Sequence, residues 1–215
     1  MSDILPSIPF IIKGIGVTLQ FVIVSGIIGF LIGVLLALAK LGKRSIWKVL
    51  ADAYTSFFRG TPLILQLVYV YFVIPQVTSW DITAFAAGVI AFSLNSAAYV
   101  SEIIRAGIQA VDKGQFEAAK ALNVPYRTMM QKIILPQAIK YILPALMNEY
   151  ITLLKESAVV SVIGAMDIMR RAQIVSADTF NYLGPLTVAL VIYFLMVRIL
   201  TLFGAKLEQR MSFSD

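Results

Sequence analysis

Amide, hydroxyl and carboxylate side chains inside long apolar stretches are the candidate functional groups of this sequence. Asn95 and Ser96 fall near the middle of one such stretch, and Asn148 and Glu149 fall within another. Polar groups at membrane depth are costly, and they usually face a bundle interior or a water-filled path. We therefore treat these residues as candidate functional residues. Hydrogen bonding between helices is the alternative for Asn95 and Ser96.

Several kinds of site are excluded because the sequence contains no cysteine and no histidine. Disulfides, thiolate or His–zinc metal sites, haem ligation by histidine, and Ser/His/Asp or Cys/His catalysis all need those residues. An intramembrane enzyme would have to work with carboxylates and lysine alone. We accordingly predict no catalytic residue and no metal site.

The composition predicts a chain whose solvent is largely lipid. The 215 residues are 59% hydrophobic and 14% charged, and the mean hydropathy is +0.84. Soluble domains are nearer ~45–50% apolar and ~25% charged, and disordered chains are more polar still. The net charge of +6 then indicates basic cytoplasmic loops and not a nucleic-acid partner.

Five apolar stretches are long enough to cross a bilayer, which needs ~20 residues in a helix. The predicted spans are 15–39, 53–75, 84–108, 138–164 and 183–205, within a single domain covering residues 1–215. In the first span, Gly26, Gly29 and Gly33 recur at helical spacing, which permits close approach of another helix. The alternative is that glycine is simply common in membrane helices.

Lysine and arginine predict the orientation of the chain, because they collect in cytoplasmic loops. Eleven of them fall after span one, between spans three and four, and after span five: Lys40, Lys43, Arg44, Lys48, Lys113, Lys120, Arg127, Lys132, Lys140, Lys206 and Arg210. The N-terminus is therefore expected outside and the C-terminus inside. Residues 165–181 are expected to form an external loop with a short surface helix.

The cytoplasmic segment 112–136 has the sequence signals of two short helices. Asp112 and Gln115 resemble a capping box at the start of the first helix. Asn123 stands where that helix should stop, because asparagine tolerates the left-handed conformation. Pro125 is expected in the first turn of the second helix, and Pro136 is expected to end it.

The first of these helices carries small alanines between charged residues, a pattern that suits docking into a groove on another protein. An amphipathic helix lying on lipid is the alternative on spacing alone. The motif E-A-A at 117–119, a turn residue at Asn123 and I-x-L-P at 133–136 resemble the coupling loop of permease subunits in ATP-binding-cassette importers. In that family this loop docks on the ATPase subunit.

The resemblance extends to three further motifs, which point to the polar amino-acid branch of the family. They are R-G-T-P-L at 59–63 followed by Gln66, Y-V-S-E-I-I-R-A-G-I at 99–108, and L-K-E-S-A-V-V-S-V-I-G at 154–164. One position departs from the pattern: the family usually has glycine where this chain has Asn123. We expect the same bend with slightly less room for docking.

The resemblance implies an all-α integral membrane protein that resembles the permease of a type I importer. The expected partners are two ATPase subunits, a second permease (itself or a related chain), a substrate-binding protein, an amino-acid substrate and membrane lipid of the bacterial inner membrane. ATP and Mg would be bound by the ATPase, because this chain lacks a phosphate-binding G-x-x-x-x-G-K-[ST] loop and would hold no cofactor. The expected coupling residues are Gly114, Glu117, Ala118, Ala119, Lys120, Ala121, Leu122 and Asn123.

Depth along the spans suggests where an amino acid would pass. A start of span four at residue 138 puts Asn148 and Glu149 about 15 Å deep at ~1.5 Å per residue. That depth is near the midplane of a ~30 Å core. The predicted substrate path comprises Gln66, Asn95, Ser96, Tyr99, Asn148, Glu149 and Thr152. For Glu149, a structural pair with Lys155 or with a partner subunit is the alternative.

Five charged residues and one threonine nearer the ends of the spans are predicted to form gates or latches. These residues are Arg59, Thr61, Glu102, Arg105, Lys155 and Glu156. Glu102 and Arg105 share a helix face, so an interfacial ion pair is the simpler interpretation and a latch against Arg59 is the other. Lys155 and Glu156 are expected at an external gate or at the contact with the binding protein, with a local structural pair as the alternative.

The carboxylates Glu102, Glu149 and Glu156 favour a basic substrate such as arginine, histidine or lysine, with glutamine as the neutral alternative. The expected function is ATP-driven import by alternating access. A secondary carrier driven by an ion gradient is the rival from another class. Such carriers often contain internal repeats with paired broken helices, and no repeat is visible between the halves of this sequence.

Overall fold

The computed structural model describes residues 5–42 and 46–212, with side chains up to Gln209. Those residues form helices and connecting turns, and no strand occurs among them. The prediction of an all-α membrane protein is confirmed. Lys43, Arg44 and the side chain of Arg210, which entered the orientation argument, lie outside the part of the chain that is described.

The first membrane segment is longer than predicted. A 3-10 turn at Leu5–Ser7, α1 at Ile8–Ile12 and α2 at Gly14–Leu41 form one 37-residue apolar segment. One side of α2 packs along α6, which runs from Ala84 to Gln109 and closely matches the predicted third span.

Glycines of α2 allow the close approach of α2 and α6. A Cβ on Gly33 would lie 2.6 Å from the Val100 Cγ1 atom, and one on Gly29 would lie 3.0 Å from the Ser96 Cβ atom. Real Cβ atoms essentially never show the first of these distances, and the second is tighter than nine in ten real Cβ contacts. The interpretation of these glycines as packing positions therefore agrees with the geometry.

The second predicted span is not one helix. Its parts are α3 (Ile46–Gly60), α4 (Leu63–Val68), a π-helical turn (Tyr69–Val73) and α5 (Ile74–Thr78). The two halves are bent by 102° at the break between Gly60 and Leu63. Proline lacks an N–H group and disfavours helical backbone at the residue before it, so Pro62 ends α3 and Thr61 lies in the break.

The segment after α6 contains α7 at Lys113–Ala121 and α8 at Tyr126–Met129. The bend between them is the predicted one, since Asn123 has a left-handed φ of 53°. Pro125 is the residue that precedes α8, not a member of its first turn.

The prediction that Pro136 ends the second helix is wrong. A π-helical turn at Met130–Ile134 carries the chain from α8 directly into α9, at Leu135–Glu156. Proline is tolerated where a helix begins or where the ladder shifts to longer hydrogen bonds, because its missing N–H then costs little. The helical segment leading into predicted span four therefore begins at Tyr126, well before residue 138.

After α9 the chain tightens into a 3-10 helix at Ser157–Ile163 and turns at Gly164, where φ is 85°. Then follow α10 at Ile168–Thr179 and α11 at Leu183–Ser212. The helix expected within 165–181 is thus present, and one of its sides packs against α1 and α11 through Ile168, Ala172 and Val175.

Three of the described helices are long and apolar enough to cross a membrane, and the bent pair α3–α5 would be a fourth. The 22-residue α9 is long enough, but its polar residues, which include Asn148, Glu149 and Lys155, place it outside that group. A count of five spans therefore stays a prediction.

Candidate transport path and coupling surface

Glu149 is held at the crossing of α9 and α6. The buried Ser96 hydroxyl donates a hydrogen bond of 2.8 Å to the Glu149 Oε1 atom. Among the described residues, no lysine or arginine nitrogen lies within 4.0 Å of this carboxylate. The alternative pairing of Glu149 with Lys155 is therefore not formed in this chain.

Gln66 and Asn95 are buried, and they form hydrogen bonds with each other and with groups at the break in the second segment. The Asn95 Nδ2 atom donates to the Gln66 Oε1 atom at 3.1 Å and to the Phe58 carbonyl at 3.1 Å. The Gln66 amide donates to the same carbonyl at 2.9 Å and to the Thr61 hydroxyl at 2.7 Å. These bonds satisfy backbone groups freed by the break, so both amides brace the bend between α3 and α4.

Tyr99, Asn148 and Thr152 are more open than these amides. A depression of about 450 Å³ between α6 and α9 is lined by Tyr99 on one side and by Tyr141 and Ala145 on the other. Asn148 and Thr152 follow Ala145 at steps of three and four residues, which places them on the same side of α9. Tyr99 and Asn148 are exposed and Thr152 is half-buried. We refer to Tyr99, Asn148 and Thr152 together as the open polar surface; of these three residues only Tyr99 lines the depression itself.

Glu102 is the centre of an ionic cluster. Its Oε2 atom lies 2.6 Å from the Arg105 Nη2 atom and 3.7 Å from the Arg59 Nη1 atom. Its Oε1 atom lies 2.6 Å from the Lys40 ammonium. The Arg59 guanidinium also lies over the Tyr99 ring, 5.3 Å from its centre, at a distance where a cation and an aromatic face attract. The expected Glu102–Arg105 pair and the contact with Arg59 are both formed in the structure.

Lys40 is the residue of this cluster that sequence reasoning missed. Its position after an apolar stretch indicated a solvated cytoplasmic lysine, but its side chain is 1% exposed. It also donates to the hydroxyls of Thr55 and Ser101, at 2.8 and 3.2 Å. The sequence does contain one signal, the carboxylate of Glu102, which requires a cation nearby. It does not indicate which helix faces Glu102, so Lys40 was not recognised as its partner.

Lys155 and Glu156 are both exposed at the end of α9. Neither has a salt bridge within 4.0 Å among the described residues. The local structural pair that was the alternative for them is therefore absent, and the roles predicted for them remain predictions.

The surface of α7 is mostly open. Asp112 caps the helix by accepting from the Gly114 N–H at 2.7 Å. At the other end, the Val124 N–H reaches back to the Ala119 carbonyl at 2.9 Å across the left-handed Asn123. Most of the predicted coupling residues are exposed, namely Gly114, Glu117, Ala118, Lys120, Ala121, Leu122 and Asn123.

Ala119 is the exception among the coupling residues, because it is only 3% exposed. It packs into the cluster that contains Met129, Met130 and Ile134. The prediction that the Ala119 side chain is exposed is therefore wrong, because this small side chain lets α7 pack on its own chain; the coupling role predicted for Ala119 stays a prediction. In the described ranges, no group of three or more Asp, Glu, His or Cys residues could hold a metal ion.

Comparison with known proteins gives this arrangement a family. The description "Binding-protein-dependent transport system inner membrane component" matches residues 29–213. The chain belongs to this family of membrane permeases. The match includes the broken second segment, the ionic cluster and α7.

Relatives of this permease cover nearly its whole length. It is 55% identical to the arginine transport system permease protein ArtQ of Bacillus subtilis (strain 168), over 100% of this chain and 98% of that one. It is 51% identical to a putative glutamine transport system permease protein, GlnP of Rickettsia typhi (strain ATCC VR-144 / Wilmington), over 96% and 94%. The crystal structure of an amino acid ABC transporter with histidines superimposes with a TM-score of 0.93 at 44% identity, covering 97% of both chains.

These findings confirm the prediction of an ATP-binding-cassette importer permease with the type I fold. The alternative of an ion-driven secondary carrier is wrong, because the permease belongs to a binding-protein-dependent family. In this family the ATPase is a separate subunit, and the permease works within a complex of several subunits.

Proposed function

We propose that this permease carries a basic amino acid, with arginine as the first substrate to test, from a substrate-binding protein into the cytoplasm. The proposal has two parts. One assigns Glu149 and the open polar surface beside it to the substrate, and the other assigns α7 to the ATPase subunit. The relative named as an arginine permease supports the choice of probe.

The observation that carries the substrate assignment is the isolation of the Glu149 carboxylate. It lies on a helix within the apolar bundle, bonded to Ser96 and without a cation within 4.0 Å in the described part of the chain. Glu149 is half-buried, and a carboxylate that is withdrawn from water is costly unless it is paired. A guanidinium or ammonium group that arrives with the substrate would supply the missing charge.

The remaining groups of an amino acid can be bound by the polar surface around Glu149. Asn148 offers an amide and Thr152 a hydroxyl on the same helix, and Tyr99 offers a phenol across the depression. Amides and hydroxyls both donate and accept, so they suit an α-carboxylate and an α-ammonium without a fixed charge. Gln66 and Asn95 would support the bend beside this path rather than contact the substrate.

The test is Glu149→Gln in the complete importer reconstituted in proteoliposomes, with Glu208→Gln as the control. Glu208 is an exposed glutamate near the end of α11, and no part in the transport path is assigned to it. We expect Glu149→Gln to lower ATP-driven uptake of radiolabelled arginine at least tenfold and the control to keep uptake near wild type. Undiminished arginine uptake by Glu149→Gln would contradict the assignment, and uptake of glutamine but not arginine by wild type would favour the neutral substrate.

The second part of the proposal is that α7 transmits ATP binding to the permease. Its exposed charges, Glu117 and Lys120, stand beside exposed Ala118 and Ala121. Leu122, 78% exposed, and Tyr126, 64% exposed, lie at the bend. Small residues permit close docking, and exposed apolar ones are typical of a contact with a protein or a membrane. Two ATPase subunits, which hold ATP and Mg, would dock on two permeases, and closure of the ATPase pair would turn the path outward.

Glu117→Arg tests this coupling, with Glu208→Arg on α11 as the matched control. Both glutamates are exposed, so either variant is expected to fold and insert. We expect Glu117→Arg to release the ATPase subunit during purification in mild detergent, while the control retains it. Retention of the ATPase together with normal uptake by Glu117→Arg would contradict the docking assignment. Mass spectrometry of the same preparation would also reveal whether the second permease is this chain or a relative.

The proposal places the N-terminus outside and α7 with the C-terminus inside the bacterial inner membrane. The natural chain has no cysteine, so single cysteines can be labelled without background. We expect Gln115→Cys on α7 to react only with a maleimide that enters the cell. We expect Asp178→Cys at the end of α10 to react with an impermeant one. The opposite pattern would reverse the orientation.

A further inference from the structure

The ionic cluster around Glu102 contains more positive than negative charge. One of its members, Lys40, has no part in the transport path or the coupling surface proposed above. Lys40, Arg59 and Arg105 surround a single carboxylate, and Asp52 is 4.0 Å from Lys40. A polar depression of about 670 Å³ opens beside them. Arg105 and Glu102 are neighbours on one helix, but Lys40 comes from α2 and Arg59 from α3.

Lys40 is fully committed within the cluster. A lysine ammonium has three donors, and these have three acceptors: Thr55 on α3 and Ser101 and Glu102 on α6. Its side chain is 1% exposed. Lys40 therefore ties α2 to both α3 and α6 through contacts that leave it no freedom to take another partner.

Arg59 is the loosest member of the cluster. Its nitrogen is 3.7 Å from the Glu102 oxygen, beyond hydrogen-bond distance, and its side chain is 45% exposed. It precedes Gly60, where the second segment bends by 102°, and it lies over Tyr99 at the depression beside the proposed path. A residue at the edge of a break, attracted but not bonded, can change place when α3 and α6 move.

We propose that Lys40 is a positioning residue for transport, which acts through Glu102 on Arg59. Lys40 fixes one oxygen of the carboxylate and Arg105 fixes the other, so the charge stays aimed at Arg59. Arg59 is thereby held over Tyr99, where it closes the cytoplasmic side of the path. This inference rests on the transport function proposed above.

The test compares Lys40→Gln with Lys48→Gln. Lys48 is a second lysine that lines the same depression, and it has no salt bridge among the residues whose side chains are described. Lys40→Gln is expected to fold, because glutamine can still bond Thr55 and Ser101 while Arg105 continues to pair with Glu102. The readout is the leak of preloaded radiolabelled arginine from proteoliposomes without ATP. A purely structural role of Lys40 would not change this leak in a correctly assembled complex.

We expect Lys40→Gln to raise the leak rate about tenfold and Lys48→Gln to leave it at the wild-type rate. Lys40→Arg keeps the cation, so it should remove at least half of the increase in leak rate that Lys40→Gln causes. Arg59→Gln should leak as much as Lys40→Gln, and the double variant should leak no more than the worse single variant. A wild-type leak in assembled Lys40→Gln, or additive leaks in the double variant, would overturn the proposal.

Two further outcomes are informative. If the Lys40→Gln complex is not recovered, Arg59→Gln decides alone: a wild-type leak overturns the proposal and a raised one supports it. ATP-driven arginine uptake by wild type is measured in the same vesicles. Its absence contradicts the transport function itself, whereas normal uptake with an unchanged leak in the variants contradicts this inference only.

Discussion

Two glutamates on neighbouring helices have opposite electrostatic surroundings. Glu102 on α6 has three cations within 4.0 Å, and one of them is a buried lysine with every donor used. Glu149 on α9 has a serine hydroxyl and, in the described chain, no cation at that distance. In a lipid environment a charge that is already paired holds helices together, whereas an unpaired one is available to a ligand or a partner.

The largest effect expected from this difference is on stability. Glu102→Ala would leave the Lys40 ammonium buried without its carboxylate, and breaking a buried pair from one side costs about 3–5 kcal/mol. We expect little folded complex to be recovered in detergent, and a much lower unfolding temperature for what remains. Glu156→Ala, which removes an exposed glutamate, is the control. Equal stability of the two variants would mean that the cluster does not hold the helices together.

A smaller effect is expected from the packing that brings α2 against the cluster. Gly33→Ala would put a Cβ 2.6 Å from Val100, and overpacking of this kind costs about 1–3 kcal/mol. Gly16→Ala is the matched control on the same helix, because nothing lies within 4 Å of its Cβ position. Thermal unfolding of both variants in detergent should separate them, and a Gly33→Ala protein as stable as the control would contradict the close approach.

Sequence reasoning succeeded where a local signal was enough. The bounds of α6 closely match the prediction, because an apolar stretch ends in charged residues, and Asn123 adopts the left-handed conformation expected at a helix end. It failed where the outcome depended on which side of a helix meets a neighbour. Ala119 is buried, and Lys40 points inward.

Two further differences between prediction and structure occur at prolines. Pro62 breaks a segment that is apolar on both sides, and hydropathy averages over such a break. Pro136 lies at the start of α9, where the preceding π-helical turn accommodates it. The hydrogen bond between Gln66 and Asn95 was not predicted either, because it depends on the break at Pro62: both amides bond the backbone that is freed there.

Loss of the hydrogen bond between Ser96 and Glu149 is expected to have an intermediate effect on transport. Ser96→Ala removes a bond to a charged group, worth roughly 1.5–3 kcal/mol in other proteins. We expect the KM for arginine uptake to rise about ten- to a hundredfold, since the carboxylate is then poorly placed. Ser93→Ala is the control and should leave the KM near wild type, because the buried Ser93 hydroxyl has no hydrogen-bond partner among the described residues.

The smallest effect is the change in stability that we expect for the Glu149→Gln variant. Because this carboxylate has no cation to lose in the described part of its own chain, its neutralisation should lower the free energy of unfolding by no more than about 1 kcal/mol. Thermal unfolding in detergent, without substrate, measures this. A loss comparable with that of Glu102→Ala would show that Glu149 is paired in the assembled complex and would remove the contrast between the two glutamates.

The most direct measurement is an experimental structure of the assembled importer with arginine bound. We expect the guanidinium or ammonium group of the substrate to lie within hydrogen-bond distance of the Glu149 carboxylate, beside Ser96 and facing Asn148. A structure in which a lysine or arginine of a second permease pairs with Glu149, with the substrate bound elsewhere, would contradict this expectation.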